Sequence, residues 1–298
     1  MQRSRFNDHQ RHALYIGRWQ PFHSGHKFII DRAIAAGKKV CVAIRDTEIS
    51  DNNPYTVQQR EAMIRRVYGD KVRIITIPDI ESVNIGRNVG YEVNFIEPPK
   101  DIAAISGTNV RLGRETRVPP EVAEYVMLLR STLWLTGLPC AGKTTLAKRL
   151  KEELDNRGYN CRHLDGDNVR GGLNENLGFS PEDRRENLRR IGHVAKLFND
   201  CNTPVVASFV SPTDELRGIP RGIIGKDNFK LVYVQCSAET CAKRDVKGMW
   251  AKAKTGEIPQ FTGVSAPFDE PGDANMVIDT EHQDLETCVS QILEELKV

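Results

Sequence analysis

GLPCAGKT, residues 137–144, is the stretch of this sequence that decides the fold. It matches the pattern G-x-x-x-x-G-K-[ST] and lies between the strand candidate Thr132–Thr136 and a helical pattern that begins at Thr144. Its glycines let the backbone curl so that N–H groups surround phosphate oxygens at a helix start. Lys143 adds a positive charge for the β- and γ-phosphates, and Thr144 offers a hydroxyl to Mg²⁺. The sequence therefore predicts a phosphate-binding loop (P-loop) that uses ATP and Mg²⁺.

Short apolar runs alternate with helical patterns along the whole chain, which is typical of parallel α/β architecture. The strand candidates are Leu14–Gly17, Val40–Ile44, Val72–Ile77 and Ile102–Ile105 in the first part, and Thr132–Thr136, Cys161–Leu164, Pro204–Phe209, Leu231–Gln235 and Met276–Ile278 in the second. The helical patterns are Val57–Val67, three that begin at Thr144, Pro181 and Glu239, and a last one with Leu285, Cys288, Val289, Ile292 and Leu296 on one face. Each half opens with a strand followed directly by a phosphate-binding signature. We therefore predict two parallel-sheet α/β domains.

The boundary between the domains is predicted near Pro119–Arg130, because two consecutive prolines stop the preceding structure there. We divide the chain into a tail (1–12), a first α/β domain (13–120), a linker helix (121–130) and a P-loop domain (131–298).

The composition excludes several classes of function. The net charge is +2, from 42 basic and 40 acidic residues, which provides no field for binding nucleic acid or a membrane surface. No apolar run approaches the roughly 20 residues of a membrane span, and the N-terminus does not read as a secretory signal. The seven cysteines include no C-x-x-C pair, which favours a reducing cytoplasm over a disulfide framework. We expect small-molecule nucleotide substrates, and a homo-oligomer (a dimer or higher).

Two carboxylates follow a strand candidate in the second half, in the run Leu164-Asp165-Gly166-Asp167. Carboxylates at a strand end beside a P-loop can serve Mg²⁺ and accept a hydroxyl proton. The planar guanidinium groups of Arg170 and Arg184 suit an anionic acceptor.

Several blocks of this half resemble adenylylsulfate (APS) kinase. They are LDGDNVR (164–170), GLN (172–174), LGFS (177–180), DRxENxRRIGxVAKLF (183–198), RDVKG (244–248) and FTG (261–263). The resemblance covers about residues 133–280, in the family's order. It implies a P-loop kinase of sulfate assimilation that transfers the γ-phosphate of ATP to the 3′-hydroxyl of adenylyl sulfate, giving PAPS.

The resemblance also implies residue roles. Asp167 would act as the base for the acceptor hydroxyl or orient it, with Lys143 also catalytic. The ATP-binding group would be Gly137, Gly142, Lys143, Thr144, Thr145 and Arg244, and Mg²⁺ would be held by Thr144 and Asp165. The acceptor would be bound by Asp165, Arg170, Phe179, Arg184, Asn187, Val210, Ser211, Lys247 and Phe261. In that set, the two phenylalanines sandwich the adenine, and Lys247 belongs with Arg244 to a lid that closes on ATP.

One segment departs from the family. After Ser211-Pro212 the family has tyrosine and basic residues, whereas this chain has Thr213-Asp214-Glu215-Leu216-Arg217. An acidic pair at this point would repel an anionic substrate. An alternative is therefore that the kinase acts on another nucleotide conjugate, such as a cytidine diphosphate analogue made by the first domain. An alternative of another class is a non-catalytic nucleotide-binding protein.

The first domain carries its own signature, GRWQPFHSGH at residues 17–26. No nearby Cys or Glu completes a zinc set with His23 and His26, so the two histidines favour an anion site. Imidazoles at the positive start of a helix can donate to the phosphates of a nucleotide as pyrophosphate leaves. We therefore predict His23 and His26 as catalytic residues.

A second stretch, ISGTNVR at 105–111, pairs with that signature. Together with NPYT (53–56) and Arg60, the two stretches resemble the H-x-G-H nucleotidyltransferase superfamily, and most closely the archaeal-type nicotinamide-nucleotide adenylyltransferases, over about residues 13–118. The resemblance implies a Rossmann-like fold that transfers a nucleotidyl group to an anionic acceptor, with sulfate or a phosphorylated metabolite as candidates. The triphosphate would be bound by Arg18, Ser106, Thr108 and Arg111. Acceptor specificity should reside in Glu81–Glu97, which shows no recognised pattern.

Overall fold

The computed structural model describes residues 11–84, 92–111 and 114–298. These form two compact units, Met1–Tyr125 and Val126–Val298. Residues 1–10 of the predicted tail, and residues 85–91 of the predicted acceptor region, lie outside the described residues. Among the helices that the structure describes, none combines the length and apolar character needed to span a bilayer.

The first unit contains a three-stranded parallel sheet in the order β1-β2-β3. Its strands are β1 His12–Gly17, β2 Lys39–Asp46 and β3 Val72–Pro78. Its helices are α1 Ser24–Ala35, α2 Val57–Tyr68, α3 Lys100–Ala103 and α4 Gly107–Arg111, and α5 Pro120–Leu129 continues into the second unit. Helix α2 begins where predicted because Thr56 caps it: the Thr56 hydroxyl accepts from the Gln59 amide at 3.2 Å.

The predicted strand Ile102–Ile105 is wrong. The chain forms the short helix α3 there, followed by a turn. A run of four apolar residues does not separate a strand from a buried helical turn. Pro99 stands before the first turn, and alanine favours helix over strand. Ser106 therefore precedes α4 instead of ending a strand, and its Oγ accepts from the Asn109 amide at 3.1 Å.

The second unit is a five-stranded parallel sheet in the order β5-β6-β4-β7-β8. Its strands are β4 Thr132–Thr136, β5 Arg162–Asp165, β6 Val205–Ser208, β7 Phe229–Gln235 and β8 Met276–Asp279. Its helices are α6 Lys143–Asn156, α7 Gly166–Arg170, α8 Pro181–Asp200, α9 Asp214–Ile224, α10 Ala238–Arg244, α11 Met249–Lys254 and α12 Leu285–Glu295. All five predicted strands of this unit are confirmed, with ends shifted by one or two residues. Parallel strands need helical crossovers, so the loops that follow β4, β5, β6 and β8 all leave the sheet at its carboxyl edge.

The central strand β4 is buried along its whole length. Trp134 at its midpoint stacks on Phe209 with ring centroids 5.1 Å apart, inside a cluster that includes Ile191 and Leu231. The P-loop follows the most enclosed strand of the sheet, so its anchor is rigid.

Candidate active sites

The P-loop curls back over the end of β7. At Gly137 φ is +155°, and an added Cβ would lie 2.4 Å from the carbonyl oxygen of Val234. Gly142 has φ +92° and caps the start of α6. Both positions therefore require glycine, the first for close backbone approach and the second for its left-handed conformation.

Lys143 is buried within this curve. Its Nζ donates to the carbonyl oxygens of Gly137 at 3.0 Å and Leu138 at 2.7 Å. Burial lowers the pKa of Lys143 to about 8, although the neighbouring Cys241 and Cys140 partly oppose the shift. The ammonium group is thus held inside the loop, where phosphate oxygens can compete for its N–H donors.

Asp165, at the end of β5, joins the neighbouring strand to the P-loop helix. Its Oδ2 accepts from Thr144 Oγ1 and from Ser208 Oγ, both at 2.8 Å. Its Oδ1 caps α7 by accepting from the Asp167 amide at 3.0 Å. Burial raises the pKa of Asp165, but these hydrogen bonds outweigh it and leave the pKa below its ordinary value. The carboxylate is therefore ionised at neutral pH.

Ser208 receives support from His163, whose Nε2 lies 2.9 Å from Ser208 Oγ. Thr145, the second hydroxyl residue after the P-loop lysine, lies in the first turn of α6. The hydroxyl of Thr144 and one carboxylate oxygen of Asp165 thus stand together beside the loop, and their role as a metal pair stays a prediction.

Asp167 lies two residues further along the chain and is exposed to solvent over 73% of its side chain. It forms an ion pair with Lys247, and this contact raises the pKa of the lysine. The predicted base and the predicted lid residue are therefore in direct contact.

Arg184 connects Phe179 and Phe261, the two phenylalanines that are predicted to form the aromatic walls of the acceptor site. Its Nε donates to the carbonyl oxygen of Phe179 at 3.0 Å, and its Nη2 donates to that of Gln260, next to Phe261, at 2.8 Å. Phe179 is 61% exposed, whereas Phe261 is 9% exposed and packs edge-on against Trp250 at 5.3 Å. One wall is thus open to a ligand and the other is fixed in the protein.

Arg170 supports the open wall. Its guanidinium group lies 4.2 Å from the centroid of the Phe179 ring, and its Nη1 donates to Leu177 and Gly178 carbonyl oxygens at 3.1 and 2.8 Å. Asn187 is buried, and its Oδ1 accepts from Asn174 at 2.8 Å. Both side chains are engaged with the protein in this structure.

The segment after β6 packs against the end of β4. Thr136 Oγ1 donates to the carbonyl oxygen of Val210 at 2.7 Å, and Ser211 Oγ accepts from the Trp134 indole at 3.0 Å. On the other side of the loop, Thr280 donates to the carbonyl oxygen of Ala141 at 2.7 Å, and the guanidinium group of Arg244 donates to Thr280. Arg244 therefore reaches the P-loop through Thr280.

In the first unit, the loop after β1 brings the two histidines together. Their rings stack with centroids 3.6 Å apart, and Gly25 permits this because a Cβ there would lie 3.0 Å from the His23 ring. His26 Nδ1 accepts from the His23 amide at 3.3 Å, which leaves its proton on Nε2. Burial lowers the pKa of His23 to about 4 and that of His26 well below its ordinary value. Both imidazoles are therefore neutral at pH 7, and a neutral ring keeps one N–H that can donate a hydrogen bond.

Gln20 connects this loop to the other motifs of the unit. Its side-chain amide bonds both the N–H and the C=O of Tyr55, at 3.1 and 3.0 Å. Its carbonyl oxygen accepts from Arg111 at 2.6 Å and would lie 2.4 Å from a Cβ at Gly107. The structure therefore brings the two predicted stretches, 17–26 and 105–111, into contact.

Three further predicted residues surround this contact. Arg111 also donates to Thr108 Oγ1 at 3.1 Å, and Arg18 lies within 3.4 Å of the Asn53 side chain. Ser106 caps α4. The hydroxyls and guanidinium groups predicted for a triphosphate thus lie on one loop cluster at the end of β1.

Sequence reasoning missed the residues that hold these groups in place. His163 and Ser208 support Asp165, Thr280 supports the P-loop, and Gln20 joins the first unit's motifs. The only available signal was a polar residue at a strand end or inside an apolar run, as with Ser208 after Val205–Ala207.

Comparison with known proteins shows which families the two halves of the chain resemble. The family model for adenylylsulphate kinase matches residues 130–279, half of the 298-residue chain. The chain belongs to the adenylylsulphate kinase family. The family model for cytidylyltransferase-like proteins matches residues 14–165, which include the first unit's motifs and continue into β5. The protein is thus an enzyme with a P-loop kinase part and a nucleotidyltransferase part, and the prediction of two parallel-sheet α/β domains is confirmed.

Relatives of the kinase part are close in sequence. An adenylyl-sulfate kinase of Staphylococcus epidermidis is 51% identical over 167 residues, which are 56% of this chain and 84% of the relative. One from Bacteroides thetaiotaomicron is 51% identical over 162 residues, 54% of this chain and 81% of the relative. A solved structure of the APS kinase of Mycobacterium tuberculosis in complex with AMPPNP and APS is 36% identical, with a TM-score of 0.54, over 56% of this chain and 98% of that one.

Proposed function

We propose that the second unit transfers the γ-phosphoryl group of ATP to the 3′-hydroxyl of adenylyl sulfate, giving PAPS. The observation that carries this proposal is the contact of P-loop Thr144 with Asp165, which stands two residues before Asp167. This contact supports a metal-binding pair of Thr144 and Asp165 beside the loop that holds Lys143, with the carboxylate of Asp167 close by in sequence. The relatives named adenylyl-sulfate kinase, at about half identity, support adenylyl sulfate as the acceptor.

Mg²⁺ fits the residues present. Hydroxyl and carboxylate oxygens are its preferred protein ligands, and it is usually held by one or two of them together with substrate phosphates. Among the described residues, no cluster of three or more His, Cys, Asp or Glu forms a closed metal cage, which agrees with such an open site. When bound by Thr144 and Asp165, Mg²⁺ would neutralise charge on the phosphates.

The chain's own residues supply the remaining functions. Lys143 exchanges its bonds to the loop carbonyls for phosphate oxygens of ATP. Asp167 accepts the proton of the acceptor hydroxyl, and Lys247, its ion-pair partner, moves to the acceptor or to ATP as the lid closes. Arg184 joins the backbone of Phe179 to that of Gln260, next to Phe261, and so holds in place the two rings that would stack on the acceptor base.

The acidic pair Asp214 and Glu215 does not weigh against an anionic acceptor. Asp214 is paired with Arg217, and Glu215 is paired with Arg185. Each carboxylate is therefore compensated by a guanidinium group, and the repulsion inferred from the sequence is largely cancelled.

For the first unit, we propose nucleotidyl transfer from a nucleoside triphosphate to an anionic acceptor, such as sulfate or a phosphorylated metabolite, with release of pyrophosphate. The neutral His26, with its proton on Nε2, donates to the phosphate that becomes charged. The cytidylyltransferase-like match favours a second candidate for the whole chain, in which this unit makes a cytidylyl conjugate and the kinase phosphorylates it.

The test is a transfer assay with [γ-³²P]ATP and the full chain, comparing adenylyl sulfate with cytidine diphosphate conjugates. Label on adenylyl sulfate, lost in Lys143→Met, supports the main proposal, whereas label only on a cytidine conjugate supports the second. Pyrophosphate release is measured in parallel with each nucleoside triphosphate. His26→Ala should abolish that release and leave the kinase unchanged, so a loss of both activities would contradict independent sites.

A further inference from the structure

Arg217, on α9, is among the most deeply buried charged residues of the described chain, at 1% exposure. A buried guanidinium group is costly unless its donors are satisfied. Its Nη1 donates to the carbonyl oxygen of Ser211 at 3.0 Å, and its Nη2 donates to that of Asp269 at 2.8 Å and to the carboxylate of Asp214. The group therefore holds two main-chain carbonyls from segments that lie far apart in sequence.

Both segments border the acceptor site. Val210 and Ser211 follow β6, directly after the strand whose Ser208 supports Asp165. Asp269 ends the segment that begins at Phe261, the fixed aromatic wall. The two segments also share one backbone bond, from the Asp269 amide to the Pro212 carbonyl oxygen at 2.8 Å.

The backbone at Ser211 is strained. Its φ is +36°, a left-handed conformation that costs a non-glycine residue free energy and persists only where the surroundings enforce it. The Ser211 side chain is bonded to Trp134, and its carbonyl oxygen is bonded to Arg217. Two side chains thus hold the main chain at this point: Arg217, and Thr136, whose Oγ1 also donates to the Ser211 carbonyl oxygen at 3.3 Å.

We propose that Arg217 is a positioning residue for the acceptor site, which sets the distance between the Val210–Pro212 loop and the segment that carries Phe261. Its hydrogen bonds go to Ser211, Asp214 and Asp269, and to none of the ATP-binding residues or Asp167, so we expect its main effect on acceptor binding. This inference rests on the proposed kinase function and deepens it.

The test compares Arg217→Met and Arg217→Lys with Arg221→Met. Arg221 lies one turn further along α9 and pairs with Asp273 nearer the surface, with 27% of the Arg221 side chain exposed against 1% for Arg217, so it is a matched control. Steady-state kinetics give KM for adenylyl sulfate and for ATP, and the melting temperature is measured for each variant. We expect Arg217→Met to raise KM for adenylyl sulfate about tenfold and to change KM for ATP by less than about twofold. Arg217→Lys should lie between it and the wild type, and Arg221→Met should match the wild type.

Equal increases in both KM values, or an unchanged KM for adenylyl sulfate, would overturn the assignment. If Arg217→Met does not fold, Arg217→Lys and Asp214→Asn provide the same comparison. Wild-type turnover of adenylyl sulfate is measured first, and its absence refutes the proposed function alone. If the wild type phosphorylates a cytidine conjugate and not adenylyl sulfate, the same KM comparison is made with that conjugate.

Discussion

Replacing Gly137 by alanine should disable the kinase without unfolding the chain. The new Cβ would lie 2.4 Å from the carbonyl oxygen of Val234, an atom of the sheet's own backbone. Nonbonded carbon–oxygen contacts settle near about 3.3 Å or longer, so the loop must move by roughly 1 Å. Because Val234 belongs to β7, which pairs directly with β4, the loop and not the strand will yield.

Two costs follow from this geometry. The φ of +155° at Gly137 is accessible essentially to glycine alone, and forcing alanine into such a conformation costs about 1–3 kcal/mol of stability. A displacement of roughly 1 Å in a catalytic group can lower the rate about 100-fold. The loop carries the carbonyl that holds Lys143, so we expect kcat/KM for ATP to fall by about two orders of magnitude.

The assay is steady-state phosphoryl transfer with urea unfolding of the same preparations. Gly222→Ala is the control, because this exposed glycine of α9 has nothing within 4 Å of a Cβ, and alanine there should stabilise by about 0.5–1 kcal/mol without changing kcat/KM. A Gly137→Ala enzyme with wild-type kcat/KM would refute the reasoning. It would mean that the close approach to Val234 does not set the position of the loop.

Three further outcomes follow from the site geometry. Asp167→Asn should lower the rate of phosphoryl transfer about 100-fold or more. The melting temperature should not change, because the ion pair with Lys247 that is lost is exposed. A large fall in melting temperature would contradict the role of Asp167 as a base. Gly107→Ala should lower the rate of pyrophosphate release and leave the kinase activity unchanged, because the new Cβ would lie 2.4 Å from the Gln20 carbonyl oxygen. An unchanged rate of pyrophosphate release would argue against that contact. His23, with a pKa of about 4 against an ordinary 6.5, binds fewer protons in the folded state, so stability should fall as pH decreases from 6.5 to 4, by up to about 3 kcal/mol. His23→Asn should flatten this slope in urea unfolding, and an equal slope in both proteins would refute a neutral, buried imidazole.

The second unit's architecture could be predicted from sequence because each signal was local. The apolar run of β4, the two glycines of the P-loop and the hydrophobic face of α12 each follow from residues adjacent in sequence. Ile102–Ile105 was misjudged for the same reason: four apolar residues carry too little periodicity, and the choice between strand and helix is made by what packs on them.

Charge patterns were a weaker guide than apolar ones. Asp214 and Glu215 suggested repulsion of an anion, yet their partners are Arg217, three residues later, and Arg185, on another helix. A local pattern could reveal the first pair but not the second. Net charge at a site is therefore a property of the fold, and a sequence-based argument about substrate charge requires the neighbours across space.

Three of the residues to which sequence reasoning gave no role share one physical task. Gln20, Arg217 and Thr280 each donate to main-chain carbonyl oxygens of a loop that carries ligand-binding groups. Such loops leave the sheet edge with unpaired backbone groups, and a buried polar side chain satisfies them at a fixed distance. The residues of a ligand-binding motif are contiguous in sequence because a single loop surrounds a phosphate. The side chains that hold this loop in place come from any strand or helix that packs next to it. A motif therefore indicates what is bound, and only the folded chain shows what keeps the motif in shape.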